Sequence, residues 1–248
     1  MGRQRLKLIV SYDGAHFAGW QSQKHGNTVQ DHLERAFRKI AAESVRVHGA
    51  GRTDAGVHAL AQCAHVDVDT DRLSPARWRN ALNASLPPQL RVLRCQLVNT
   101  DFHARFSAIG KVYRYRIWSG LIAPPLEFGR LWHLPRELDL PTMKTAAARL
   151  VGQHDFAAFA ANRGKPERDT MRTIHNVSVH QRGFLWTLEF DGDGFLYKMV
   201  RLMVGALTEC ALGRLTVNEF VSRLETGERK GTRLSAPAQG LYLVRVRY

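Results

Sequence analysis

The sequence predicts an α+β fold made of two similar βαββαβ halves, on three observations. Period-2 strand patterns and helical apolar stripes follow one another in that order twice. Helix caps and turn residues punctuate them at short intervals. With 248 residues, 44% of them hydrophobic and 23% charged, the chain has ordinary globular composition and enough length to bury a sizeable core. A boundary near residue 105 divides the halves into 1–105 and 106–248.

In the first half, residues 5–13 alternate as a strand. A helix follows with Thr28 as N-cap, Asp31 three residues on, and Val29, Leu33, Ala36, Phe37 and Ile40 at helical spacing. Residues 45–51 and 61–69 read as strands on either side of a glycine-rich loop. Ser74-Pro75 opens a second helix, and residues 91–99 close the half as a strand. The second half starts with a strand over 108–118 and a helix over about 141–151, which Gly152 ends. Strands at 176–181 and 184–191 form a hairpin around Arg182-Gly183. Residues 195–211 carry Leu196, Met199, Val200, Met203, Val204 and Leu207 on one stripe, and residues 241–248 end the chain as a strand. Residues 160–170 and 225–236, polar and basic, read as exposed loops.

Thirty-six Lys and Arg against 22 Asp and Glu leave a net charge of +14. Such an excess favours polyanions, because each phosphate neutralised releases condensed counterions. Nucleic acid is therefore the expected partner, ahead of a membrane surface, for which no Lys-rich amphipathic helix is evident. The apolar run Leu8–Val10 is too short for a secretory signal or a membrane span, so a cytoplasmic location is expected. Cys63, Cys95 and Cys210 are too few and too widely spaced for a disulfide framework or a zinc site, and read as small buried hydrophobes.

The stretch GAGRTDAGVHALAQ, residues 49–62, sets one carboxylate, Asp54, among glycines. Gly49, Gly51 and Gly56 allow close approaches and backbone angles that side chains forbid. The loop lacks the Lys-Ser/Thr pair of a phosphate-binding loop, and no helix pattern follows it as a dinucleotide fold needs. From the residues alone, Asp54 is either a turn residue capping backbone amides or a group presented to a ligand. Asp67, Asp69 and Asp71 alternate like a calcium loop, but Arg72 stands where that loop needs glycine, so they read as the polar face of a strand. The eleven histidines show no metal-ligand spacing, and no set of carboxylates accompanies Asp54, so no metal is expected.

Taken together, YDGAHFAGWQSQ (12–23), GAGRTDAGVHA (49–59), DFHARFSAIGKVYRYRI (101–117), GQHDFAAF (152–159), FLYKMVRLMVGAL (195–207) and APAQGLYL (236–243) resemble, in order and over nearly the whole chain, the bacterial tRNA pseudouridine synthases of the TruA type. The resemblance implies two ferredoxin-like halves with mixed sheets and a central cleft, and an isomerase that needs no cofactor. In that reaction the base of a uridine leaves C1′ of its ribose, turns over and is rejoined through C5. By the same resemblance Asp54 is the essential carboxylate, Arg201 its basic partner, and Tyr113 the tyrosine that stacks on the uracil. Leu241 lines the base pocket, and Arg52 and Arg105 handle the extruded nucleotide or its phosphate. The implied substrate is the anticodon stem-loop of tRNA at uridines 38, 39 and 40, and the implied assembly is a homodimer. The one departure noted is Lys198, where relatives carry histidine. A non-catalytic RNA-binding protein and a metal-dependent nuclease are the competing readings of the charge and the aspartate.

Overall fold

The structure is a computed structural model that describes residues 3–24, 26–69, 73–161, 169–227 and 234–248. It is a mixed α+β chain. Its contacts fall into two compact units, one of residues up to Ile109 together with Tyr242–Tyr248, the other Gly110–Leu241.

The first unit runs β1 (Arg3–Tyr12), α1 (Val29–Ala41), β2 (His48–Gly49), β3 (His58–Asp69), α2 (Pro75–Ser85) and β4 (Leu90–Val98). In β1 every second residue, Leu6, Leu8, Val10 and Tyr12, is buried, as a strand with one covered face requires. β1 pairs antiparallel with β3 and with β4. The predicted capping box forms: the Thr28 side chain accepts from the Asp31 amide while Asp31 accepts from the Thr28 amide. Ser74 caps α2, with Pro75 in its first turn. Phe37 of α1 and Trp78 of α2 pack with ring centroids 5.2 Å apart in the fully buried core. A second, smaller core gathers Ala50, Cys63 and Ala104, with Ile9, Phe102 and Val246 against it.

The strand expected over 45–51 shrinks to His48–Gly49. The cause is that the Val47 backbone bonds to α1 instead of a strand: its N–H donates to Glu34 Oε1 (3.0 Å) and its carbonyl accepts from Gln30 Nε2 (3.2 Å).

The second unit carries β5 (Gly110–Trp118), β6 (Trp132–His133), α3 (Leu140–Ala148), β7 (Gly152–Asp155), β8 (Met171–Arg182), β9 (Leu185–Gly192), α4 (Met199–Ala211) and α5 (Val217–Thr226), and the chain ends on β10 (Leu241–Arg247). That order holds more elements than βαββαβ. β5 pairs antiparallel with β9, β9 with β8 and β8 with β7. From Tyr242 onward β10 counts with the first unit, parallel to β3 through Tyr242↔His58 and Leu243↔Ala59.

The β8–β9 hairpin turns on Gly183 (φ +57) and Phe184, one residue beyond the sequence expectation. A glycine at the first central position suits the turn types that match strand twist. Helix α3 stops at Ala148, and Gly152 (φ +117) opens β7 instead of ending the helix. Helix α4 begins at Met199 rather than 195, because Lys198 sits in the left-handed region (φ +59). Asp71 and Arg72, and within the two loops read as exposed residues 162–168 and 228–233, lie outside the described residues. No helix among the described residues is long and apolar enough to cross a membrane.

Candidate functional site

Residues 49–58 join β2 to β3 and carry Asp54. Within the Arg-Thr-Asp triplet the side chains diverge: Arg52 is exposed, Thr53 is buried and Asp54 is half-buried. Thr53 anchors the triplet. Its hydroxyl shares a 2.8 Å hydrogen bond with the Tyr12 phenol, and its carbonyl accepts from the Trp20 amide at 3.0 Å. Burial pushes the Tyr12 phenol well above its ordinary pKa, so it stays a neutral hydroxyl partner. The next turn closes by a 3.1 Å bond from the Val57 amide to the Asp54 carbonyl, with Gly56 at φ +80 in its third position. Arg52 Nε donates to Gln21 Oε1 at 3.1 Å.

Three glycines make room for this loop. A Cβ on Gly14 would stand 2.1 Å from the Val57 carbonyl oxygen, and one on Gly49 2.4 Å from the Trp20 indole. Gly19, at φ +91, would place its Cβ 2.6 Å from the Thr53 oxygen. The YDGAHFAGW run, which leads out of the first strand, and the GAGRTDAG loop are thus packed tightly on one another, which fixes the backbone that carries Asp54. His58, at the start of β3, is buried, with its ring stacked on Tyr242 at 4.6 Å. Its Nδ1 lies 3.1 Å from both the Gly14 amide and Asp13 Oδ1. These two contacts ask opposite things of one nitrogen, an acceptor for the amide and a donor for the carboxylate.

In the second unit, Tyr113 and Tyr115 project from the same face of β5 and both are buried. The Tyr113 ring meets Phe195 edge-on at 5.0 Å. Tyr115 donates its hydroxyl to the Pro237 carbonyl at 2.7 Å and packs so closely on Gly240 that a Cβ there would be 2.5 Å from the ring. Burial raises the Tyr115 pKa, and the nearby Arg201 charge opposes that rise. Arg201, in the first turn of α4, donates Nε to the Ala236 carbonyl at 2.7 Å, while the Ala236 amide donates to the Arg201 carbonyl at 3.0 Å. This reciprocal pair ties the 234–236 segment across α4, where Gly205 leaves room for the Leu234 carbonyl. Leu241 is buried as β10 begins.

Arg105 is exposed on the segment that links β4 to β5. That segment is held by Arg5 and Tyr248, from distant parts of the chain. Arg5 forms a two-pronged ion pair with Asp67 (both contacts 2.7 Å) and donates its remaining nitrogen to the carbonyls of Thr100 and Phe102. The guanidinium holds the Asp67 carboxyl below its usual range. Tyr248 Oη donates to the Ala104 carbonyl at 2.8 Å.

His48, His65 and His103 also gather here, with ring nitrogens within 4.8 Å of one another. The hydrogen bonds argue against a metal ion between them. His65 Nδ1 accepts from the Ala104 amide, and His103 Nδ1 accepts from the amides of Arg105 and Phe106. A neutral ring that accepts at Nδ1 carries its proton on Nε2, whereas a ligating histidine donates from its other nitrogen. The donors to His65 and His103 thus have the wrong polarity for ligation. Burial, chiefly, lowers the His65 pKa to about 4. The thiols are inert as well: Cys63 and Cys210 are buried, and burial pushes Cys95 up to about 12 and Cys210 to about 11.

A family model described as tRNA pseudouridine synthase matches residues 8–107 and 146–248. A tRNA pseudouridine synthase A from Akkermansia muciniphila is 45% identical over 98% of this chain and 95% of its own length. Those from Acetivibrio thermocellus (41%, covering 99% of this chain and 100% of the relative) and Methylacidiphilum infernorum (43%, 98% and 94%) are similar over the same extent. An α+β chain with these matches is an enzyme of the isomerase class. It belongs to the tRNA pseudouridine synthase family.

Proposed function

We propose that this chain converts uridine to pseudouridine in tRNA, at positions 38, 39 and 40 of the anticodon stem-loop, with Asp54 as the catalytic carboxylate. The observation that carries the reading is the half-buried Asp54 on a turn locked by Tyr12, Trp20 and three glycines, in a chain of this family. In the reaction the N1–C1′ bond breaks, C5 bonds to C1′, the C5 proton leaves and N1 takes up a proton, so atoms balance without a redox partner. Positive character develops at the sugar as the glycosidic bond breaks. A carboxylate fixed beforehand stabilises it, attacks it or removes the C2′ proton.

Arg201 serves as the basic partner of Asp54. Tyr113 stacks on the displaced uracil and assists the C5 proton transfer, and Leu241 lines the pocket for the base. Arg52 and Arg105 grip the extruded nucleotide or its phosphate, offsetting an unstacking cost of a few kcal/mol. In this reading residues 1–105 supply the aspartate loop and residues 106–248 the tyrosine strand and basic helix, as two related halves. The enzyme works in the cytoplasm as a homodimer, recognising RNA shape more than sequence.

The test is an unmodified anticodon stem-loop transcript with position-resolved pseudouridine detection. Asp54→Asn is expected to keep the fold and RNA binding and to lose pseudouridine formation by at least about 1000-fold, the scale for a group that acts in the transition state. Undiminished product from Asp54→Asn would refute the assignment. Cleaved RNA, or inhibition by a chelator, would favour a nuclease.

A further inference from the structure

We infer that Phe106, flanked by Arg105, is a stacking platform for an unpaired base of the RNA substrate, and that His103 and His65 are positioning residues that hold it. The inference rests on the RNA substrate proposed above and assigns a binding role to residues outside that reading's catalytic group.

Phe106 is 76% exposed, and Arg105 beside it is exposed too, with its guanidinium carbon 5.6 Å from the Phe106 ring centroid. A large apolar ring in water on a slack loop would need no explanation. This loop is not slack. Arg5 holds the carbonyls of Thr100 and Phe102, and Tyr248 holds that of Ala104. His65 takes the Ala104 amide at 3.1 Å, and His103 takes the amides of Arg105 (3.1 Å) and Phe106 (3.2 Å), the two residues that point outward. His103 and Ser107 close the loop on each other: the His103 amide donates to the Ser107 hydroxyl at 2.9 Å and the Ser107 amide to the His103 carbonyl at 2.9 Å. The exposure of Phe106 is built in.

The ring also has an aromatic backing. His103 lies 4.3 Å from Phe106 at an interplanar angle of 30°, and His65 lies 4.5 Å from His103. His65 is stacked in turn on His48, its partner across β2 and β3. Both backing imidazoles accept amide protons at Nδ1, so they stay neutral, and Arg105 supplies the local positive charge. An open aromatic face with a guanidinium at its edge suits a nucleobase, whose π-face stacks and whose phosphate lies within reach of the cation.

A second protein molecule fits less well. The only other large exposed apolar side chain on the segment is Ile109, far short of the roughly 800 Å² per partner that a stable protein interface buries. The platform is also joined to the aspartate loop. Ala104 and Ala50 share one small core, and β2, which carries His48, runs directly into Arg52 and Asp54.

The experiment measures binding of the unmodified stem-loop at fixed salt, and its steady-state kinetics, for the wild type and for Phe106→Ala, Phe106→Trp, His103→Ala and His103→Asn. Phe106→Ala is expected to weaken binding by about 5- to 150-fold, the range that stacking on one base accounts for, and to raise KM with little change in kcat. Phe106→Trp retains affinity. His103→Ala weakens binding in the same way, and His103→Asn, which keeps an acceptor at the Nδ1 position, restores it. Replacing the stem-loop nucleotides one at a time with abasic residues is expected to reveal one position at which Phe106→Ala no longer matters. Affinity within twofold of wild type for Phe106→Ala overturns the proposal. A change in oligomeric state with RNA affinity intact overturns it too, and marks a self-association surface instead. Pseudouridine formed with Phe106 indifferent sinks only the platform. RNA binding that depends on Phe106 without any pseudouridine product sinks only the reaction.

Discussion

The loop that carries Asp54 and the loop that carries Arg105 and Phe106 belong to the same unit and are held by opposite means. Residues 49–58 are fixed by missing side chains. Gly14, Gly19 and Gly49 let backbone meet backbone or indole where a Cβ has no room. Residues 99–107 are fixed by added ones: Arg5, His65 and Tyr248 reach across 95, 39 and 144 positions of sequence to bond their backbone. Steric locking is stiff and fails abruptly, because a Cβ at 2.1–2.6 Å from backbone or a buried indole cannot be accommodated without moving one of them. Hydrogen-bonded clamps give way one at a time, each worth roughly 1 kcal/mol, or up to about 3 kcal/mol where a charge takes part. On the roles proposed above, the first would suit a group that must stand still during chemistry, the second a surface that receives a ligand.

The sharpest way to break this contrast is Gly14→Ala. The new methyl would meet the Val57 carbonyl oxygen at 2.1 Å and the Gly56 carbonyl carbon at 2.9 Å, so the turn that follows Asp54 must shift. A loss of about 3 kcal/mol in stability is expected. In protein that remains folded, kcat should drop by about 100-fold, since displacement of a catalytic group by about 1 Å costs that much. Denaturant melts and single-turnover rates check both. A mutant with normal kcat would show that the loop is not sterically locked.

The same contrast explains what could be read in the sequence. Local signals were legible: the alternation of Leu6, Leu8 and Val10, the Thr28–Asp31 box, Ser74-Pro75, and a hairpin near Gly183. Gly49, Gly51 and Gly56 pointed to close approaches and unusual backbone angles; Gly49 gives the first against the Trp20 indole and Gly56 the second at φ +80. What depended on distant partners was not legible. Asp67 read as a polar strand face, yet it pairs with Arg5, two strands being needed to bring them together. The eleven histidines showed no spacing in the chain, because His48 and His65 meet through sheet register and His103 through the clamp. The strand expected over 45–51 failed for the same reason, its backbone being claimed by Gln30 and Glu34 of the preceding helix.

A smaller effect is expected from the clamp. Arg5→Met removes the ion pair to Asp67 and both bonds to the Thr100 and Phe102 carbonyls while keeping much of the apolar stem. Asp67 keeps 35% of its side chain in water, so part of its loss is recovered by hydration, and a destabilisation of about 2 kcal/mol is expected. Its signature would differ from that of Gly14→Ala. Hydrogen exchange should quicken at the amides of residues 104–106, and KM for RNA should rise while kcat holds. A fall in kcat alone would erase the distinction between the two loops.

The gentlest probe leaves the sequence intact and changes pH. His65 is buried at 2% exposure and accepts from the Ala104 amide through Nδ1, so a proton there would oppose an N–H directly. It faces His48 across β2, His103 on the clamped loop, and Arg5 and Lys7 on β1, all of which disfavour a further charge. Asp67 is the one opposing group. The folded ring titrates at about 4, below its unfolded value of 6.5, so the unfolded chain binds the extra proton between those values. The stabilisation from the neutral ring is therefore complete above pH 6.5 and drains away as pH falls toward 4. From this group alone, about 1 kcal/mol should be lost between pH 7 and 5.5, lowering Tm by roughly 2–4 °C in a chain of this size. His32, whose pKa burial also lowers, adds a dependence of the same sign and remains in every His65 variant. His65→Asn keeps an acceptor for the Ala104 amide but has nothing to protonate, so, although loss of the packed ring lowers its stability at pH 7, its melting temperature should fall less over that window. His103, whose pKa burial also lowers, stays in the variant as well. If wild type and His65→Asn lose stability in parallel, protonation of His65 is not what opens the clamp.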